Sequence, residues 1–346
     1  MSVYKLWNRE GSSDSRGCLS EGFSPSNRSV SSTHHTVSDA GEAILDNYLD
    51  LIHSKSNFSD KNDKNAPERP FDFFDDDEFV FGINLLNKNI ACADENFTKL
   101  IQMAQEPWPD NVMLFQPYEV EQILLPDNAS CLAVQAFLKM CNLPFEVEMR
   151  WNAEFMSPSG RVPFIKCGAF VVSELEPIVQ FAANKGVSLC SRLSSEEKAE
   201  MRAYMSLITN VLVNAELYIS WIHEETFNSV TKTRNSSVYP WPLGWIQTRS
   251  KRNAVTKRLK ALHWHDKTLD QVLADVEQCC KSLSQRLGDR DYFFGSPTEL
   301  DALVFGHVFT IITTRLPCRG LAETVLRHSS LVSLAKRIDE KYFKRP

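Results

Sequence analysis

The sequence predicts a small α/β domain followed by an all-α domain, with a long disordered tail in front. Three observations carry that prediction. Residues 157–181 spell a turn, a proline-started strand, a hairpin and a helix in fixed order. Beyond Gly186 the hydrophobic period changes from 2 to 3.6 and stays there, and before about Gln102 no period persists at all. The chain has 346 residues, 43% of them hydrophobic, which is enough for two ordinary cores and an extra segment.

Composition bounds the function. A net charge of −6 gives no basic surface for phosphate binding, so no nucleic-acid partner is expected. Nine cysteines form no C-x-x-C pair and no secretory apolar segment opens the chain, which points to a reducing compartment. The longest nearly uncharged run, Leu300 to Thr314, is interrupted by Asp301 and His307. It falls short of the roughly 18–20 apolar residues of a membrane span, so the chain is not expected to cross a bilayer by itself.

Residues 1–102 are rich in serine, asparagine and aspartate and read as a disordered tail. Their carboxylates, among them Glu10, Asp14 and Glu21, do not fit a cleaved mitochondrial presequence. Within the tail, Phe71 to Phe81 interleaves phenylalanines, including Phe73 and Phe74, with acidic residues, a pattern able to dock in a basic-rimmed apolar groove or to remain solvated. Ala43 to Ile52 is a possible transient helix.

The α/β domain is placed at 103–188. Val112 to Phe115 reads as a first strand, Pro117 to Asp127 as a loop, and Cys131 to Cys141 as a helix capped by Asp127 or Asn128. Phe145 to Met149 alternates as a second strand, and strand, helix, strand implies a parallel pair. Gly160 closes a turn, and Val162-Pro163, at the one kind of peptide bond where cis is accessible, opens the next strand. Phe164-Ile165 and Phe170 to Val172 flank a tight hairpin connection at Cys167 to Ala169. Leu175, Ile178, Val179 and Phe181 then share a helical face, with Pro177 in the first turns.

The all-α domain is placed at 189–346. Ser194 to Glu197 is a capping box, and Met201, Met205, Ile208, Leu212, Ala215 and Ile219 stripe one long helix. Thr226 to Trp245 breaks the pattern, and its aromatic, proline-stiffened loop offers Tyr239, Trp241 and Trp245 as contact residues. Arg249 to Lys260 is a basic helix whose cations could face anionic lipid headgroups or simply water. Leu269 to Leu287 is a striped helix stopped by Gly288. Thr298 and Asp301 can bond reciprocally at the start of the helix Ala302 to Thr314, which is apolar nearly all round and so belongs at the centre. A last helix is expected over Leu331 to Tyr342.

Other chemistry-bearing residues have plain readings. His263 and His265 point to different helix faces and lack a third ligand, so no metal site is expected. Cys279 and Cys280 read as buried thiols and His307 as a satisfied core histidine.

The Gly160 to Phe164 stretch and the Thr298 to Asp301 cap resemble the glutathione-transferase-like superfamily, whose first domain is thioredoxin-like. Within it the chain is similar to the metaxin family, in its metaxin-two branch. The residues carrying this are Glu106 to Pro109, Glu121 to Leu125, Ala133 to Phe137, Met140 to Pro144, Met156 to Gly160, Val172 to Leu175, Tyr239 to Leu243, Thr268 to Leu273 and Pro297 to His307. The resemblance covers about Glu106 to Phe343 and leaves the tail out. It implies a protein on the cytosolic face of the mitochondrial outer membrane that assists the sorting and assembly of β-barrel proteins. It also implies a metaxin-one-like partner, a barrel-assembly channel, and motor or adaptor proteins that carry mitochondria, with no cofactor and no metal.

Because the wider superfamily consists largely of transferases, an enzyme is the competing expectation. A glutathione site there uses a hydroxyl or thiol after the first strand, the backbone beside the proline and an acidic-serine pair opening the helix. Val162, Pro163 and Glu174 match, but Leu175 stands at the serine position. An apolar side chain leaves the tripeptide's carboxylate unpaired, a loss of about 1–3 kcal/mol or more. Tyr118 is the remaining activating hydroxyl, equally readable as a packed loop tyrosine.

Overall fold

The computed structural model describes residues 107–344. Phe73, Phe74 and the helix expected over Ala43 to Ile52 lie outside the described residues. Strand β1 (Met113–Gln116) pairs in parallel with β2 (Glu146–Met149) and antiparallel with β3 (Phe164–Cys167), which forms a hairpin with β4 (Phe170–Ser173). The sheet order is β2-β1-β3-β4, with Leu114 opposite Val147 on one side and Ile165 on the other. Gly160 turns at φ 68°, Val162-Pro163 is cis, and Gly168 makes the hairpin turn at φ 61°.

The helix between β1 and β2, α1, runs Leu125–Met140 and so opens six residues before Cys131. Neither Asp127 nor Asn128 caps it; Leu124 occupies the cap position without a side-chain bond. Pro126 looked like loop but sits in the first turn, where a missing N–H has no partner to lose. A single turn, α2 (Ala153–Met156), follows β2, and α3 (Leu175–Asn184) follows the hairpin.

Helix α4 spans Ser195–Ile222, and all six residues of its expected stripe are buried. It is apolar and long enough to cross a membrane by composition, yet that apolar stripe is spent on the core. Its winding loosens to π-helix at Thr209–Val213 and Tyr218–Ile222. Thr209 Oγ1 donates to the Met205 carbonyl at 3.1 Å and Asn214 Nδ2 to that of Asn210 at 2.8 Å, which draws carbonyls out of the α-helical ladder.

Residues 224–236, expected to break the helical pattern, form helix α5 with a π-wound middle at Phe227–Thr231. Few apolar residues mark it because only Thr226, Phe227 and Thr231 turn inward. Local bonds such as Ser229 Oγ to the Glu225 carbonyl at 2.6 Å support it instead. The basic helix α6 runs Leu243–Ala261, so Trp245 lies in its first turn and not in the loop. Then come α7 (Leu269–Leu287), α8 (Glu299–Thr313), α9 (Gly320–Leu326) and α10 (Ser329–Ile338), continued by a π-turn at Asp339–Phe343. Helix α9 was not expected, since seven residues starting at glycine leave no period to read.

One hydrophobic core runs from Val112 and Leu114 in β1 to Leu334 and Ile338 in α10, so the α/β and helical parts bury their faces against each other. Helix α8 is at its centre, packed on α1, and twelve of its residues are buried. Inside this core His307 Nδ1 lies 2.7 Å from Glu216 Oε1 of α4, with both side chains removed from water. Burial raises the Glu216 carboxyl although His307 pulls the other way.

Candidate functional site: a glutathione-like cleft and an exposed aromatic face

The cleft expected from the resemblance lies where β3 enters the sheet and α3 begins. Glu174 precedes α3 with φ 68°, and its N–H donates to the Pro163 carbonyl at 3.0 Å. Its carboxylate does not cap α3; Arg161 Nη1 donates to Glu174 Oε2 at 3.0 Å instead. Leu175 packs its side chain against the core. The acidic group that would face a peptide amine is therefore already paired, and the position that would receive the peptide's carboxylate is apolar. At the end of β1, Gln116 is buried and bonded to Glu119 and Gln135 at 2.9 and 2.8 Å. Tyr118 is half-exposed, with its carbonyl accepting from the Gln122 and Ile123 N–H groups.

A second feature stands apart from that cleft. Trp151 and Phe155, just beyond β2, are 45% and 61% exposed, and both meet Tyr239 edge-on at ring separations of 5.8 and 6.5 Å. Trp241 is 91% exposed and Trp245 51%. The face thus joins the α/β part to the loop between α5 and α6. Residues 237–242 form that loop, with Trp241-Pro242 cis. Two bonds fasten the end of α5 and the start of the loop to the α/β part: Arg234 Nη1 donates to the Ile123 carbonyl at 2.9 Å and Ser237 Oγ to that of Glu121 at 3.3 Å. Exposed aromatic rings on a fixed backbone are the anchors that protein interfaces favour.

Lys251 holds the base of this face. Its Nζ donates to Glu154 Oε2 of α2 at 2.8 Å and lies 3.7 Å from Asp127 Oδ2 of α1. Burial alone would lower the ammonium, but the Asp127 and Glu154 carboxylates outweigh it and hold it above its ordinary range. Glu154 is raised by burial, with Lys251 opposing, and the Tyr239 hydroxyl is raised by burial with Glu154 nearby. Replacing Lys251 with methionine leaves two adjacent carboxylates without their cation. We expect a loss of about 1–2 kcal/mol, discounted for the partial exposure of all three groups. Thermal melts should show a drop of a few degrees for K251M, largely recovered in the K251M/E154Q pair. A double variant no better than K251M alone would refute the role.

Of the residues singled out in the sequence, Val162, Pro163 and Glu174 gather at one place and Tyr239, Trp241 and Trp245 at another, where His265 also lines the wall, whereas His263 and His265 form no metal cluster among the described residues. Trp151 and Phe155 escaped sequence reasoning. Their signal is two aromatics and a methionine in one short segment after an edge strand, at Trp151, Phe155 and Met156, all of them exposed.

A mixed four-stranded sheet entered by a cis proline, joined to a helical domain around a capped and buried α8, defines a two-domain protein of the glutathione-transferase-like class. Models described as the glutathione S-transferase N-terminal domain and C-terminal domain match residues 129–226 and 276–338. The chain is 56% identical over 255 residues to Metaxin-2 of Homo sapiens, covering 73% of this chain and 97% of that one. It is 43% identical over 213 residues to the Metaxin-2 homolog of Caenorhabditis elegans, covering 61% and 92%. To Metaxin-1 of Mus musculus it is 25% identical over 222 residues, covering 62% and 70%. A solved glutathione S-transferase of Ceriporiopsis subvermispora is similar at a TM-score of 0.48 and 12% identity, covering 68% of this chain and 98% of that one. The chain belongs to the metaxin family.

Proposed function

We propose that this protein is a non-enzymatic subunit on the cytosolic face of the mitochondrial outer membrane, assisting the import, sorting and assembly of β-barrel proteins. The observation that carries the reading is the exposed aromatic face of Trp151, Phe155 and Trp241, set on a backbone fastened to both parts of the fold. Exposed apolar rings of this kind gain most when a partner covers them. A metaxin-one-like subunit is the partner this reading names, with the barrel-assembly channel beside it. The cleft supports the same reading from the other side. A bound glutathione would have to displace Arg161 from Glu174 and leave its own carboxylate against Leu175.

Two measurements test this. Affinity capture from outer-membrane extracts should recover the metaxin-one-like subunit with the parent chain, and the W151A/F155A/W241A variant should lose at least tenfold of it while melting like the parent. Undiminished recovery with that variant would remove the face from the reading. Calorimetric titration of the purified protein with glutathione should show no binding up to millimolar concentration. Heat-detectable binding abolished by Tyr118→Phe would establish the glutathione-dependent enzyme instead.

A further inference from the structure

Helix α6 carries Arg249, Lys251, Arg252, Lys257, Arg258 and Lys260 and not one carboxylate. The inward members are engaged: Lys251 holds Glu154, and Arg252 bonds the Trp221 carbonyl at 3.1 Å and the Glu224 carboxylate. The outward members are Arg249, Lys257 and Lys260, exposed on the same side as Trp245 and Asn253. At 1.5 Å per residue this makes a cationic stripe along a helix about 28 Å long, with an indole at one end.

Beside the stripe, a cleft of about 700 Å³ opens between α5 and α6. Lys232 and Arg249 stand in its walls with Trp241 and Trp245, and its carboxylate, Glu224, is the one Arg252 already holds. Arg249 also lies over the Trp245 ring at 5.8 Å.

We propose that this side of the protein rests directly on an anionic bilayer, with phospholipid phosphates against Lys232, Arg249, Lys257 and Lys260 and the indole of Trp245 at the headgroup level. Three features select a bilayer over other polyanions. A protein partner needs an apolar anchor within the patch, but between Arg249 and Lys260 the exposed residues are small, namely Ser250, Asn253 and Ala254. A nucleic-acid strand needs aromatic platforms spaced along it, and here the indoles sit only at one end. A lipid surface asks for spaced cations and an interfacial tryptophan, and both are present. The inference does not rest on the partner reading.

The test uses the purified full chain and protein-free vesicles, so its outcome is separate from recovery of any partner. Flotation with phosphatidylcholine vesicles containing phosphatidylserine should carry the protein upward, and pure phosphatidylcholine should not. Each cation removed should weaken partitioning about fivefold. The K232Q/R249Q/K257Q/K260Q variant should therefore lose more than a hundredfold, with its thermal melt unchanged because all four side chains are exposed on the surface of α5 and α6. W245A should lose several-fold, and raising salt beyond physiological strength should release the parent. Equal flotation with neutral vesicles, binding indifferent to the four substitutions, or no flotation at all would overturn the proposal. So would competition by single-stranded RNA at equal phosphate concentration as strong as that of phosphatidylserine vesicles.

Discussion

Gly306→Ala lowers the thermal midpoint by roughly 2–8 °C, and Gly306→Val prevents the fold from forming. Helix α8 crosses α1 at this glycine. A Cβ placed there would lie 2.4 Å from the Ala129 carbonyl oxygen and 2.8 Å from both the backbone nitrogen and the Cβ of Ala133. These atoms are backbone or fixed to it, so no rotamer change relieves the overlap and the two helices must separate. Separation loosens the extensive α1–α8 contact, at about 2–3 kcal/mol for an added methyl that meets backbone and more for a branched side chain. Alanine's better helix propensity returns about 1 kcal/mol, which the clash exceeds. For a folded unit of this size each kcal/mol moves the midpoint by about 2–4 °C. Gly320→Ala supplies the control. Its nearest obstacle is Leu273 Cδ1 at 2.8 Å, the far end of a flexible side chain able to rotate away. That variant should melt within a few degrees of the parent. If the two alanine variants melt alike, close helix approach at Gly306 is not what the core depends on.

How much of this was legible in the sequence follows from which interactions are local. The α4 stripe was readable because period 3.6 needs only one buried face, and every member of Met201, Met205, Ile208, Leu212, Ala215 and Ile219 is inside. The hairpin and its cis-proline entry were readable because turn residues carry their own backbone preference. The start of α1 was not, because prolines and carboxylates suit a loop and a first helical turn equally well. Helix α5 was hidden by its polar face, and the π-winding of α4 by side-chain bonds that no period records. For the cleft, the substitution of Leu175 could be read from sequence alone, while the Arg161 to Glu174 pair needed a structure. The aromatic face is least legible of all. Trp151 and Tyr239 are 88 positions apart, and only the docking of the α5–α6 loop against the turn after β2 brings their rings to 5.8 Å.

Asp301→Ala removes about 3–5 kcal/mol of stability. The carboxylate accepts from the Phe293 N–H at 3.1 Å, from the Thr298 N–H at 2.8 Å and from the Thr298 hydroxyl at 2.6 Å, all of them buried. It ties the loop ahead of α8 to the helix's first turn, and alanine would leave three donors without water or partner, each worth about 1–3 kcal/mol. Asp301→Asn retains one acceptor oxygen and should lose about half as much. The pH dependence separates charge from hydrogen bonding. Burial pushes the Asp301 carboxyl up to about 6, with the donors from Thr298 and Phe293 pulling it down less than burial raises it. An unfolded aspartate ionises near 4, so between about pH 4 and pH 6 the folded state holds a proton that the unfolded state has released. Stability from this group is complete below about pH 4, is lost as pH rises through about 6, and is flat beyond; the change is about 3 kcal/mol at 1.4 kcal/mol per unit. Urea melts of the parent and of D301N at several pH values read this directly. The asparagine variant lacks the slope, so its deficit relative to the parent should be largest on the acid side and shrink towards neutrality. A deficit that stays constant across the window would mean that the carboxyl titrates normally inside the fold, and the account of Asp301 as a charge retained against burial for the sake of the α8 cap would fall with it.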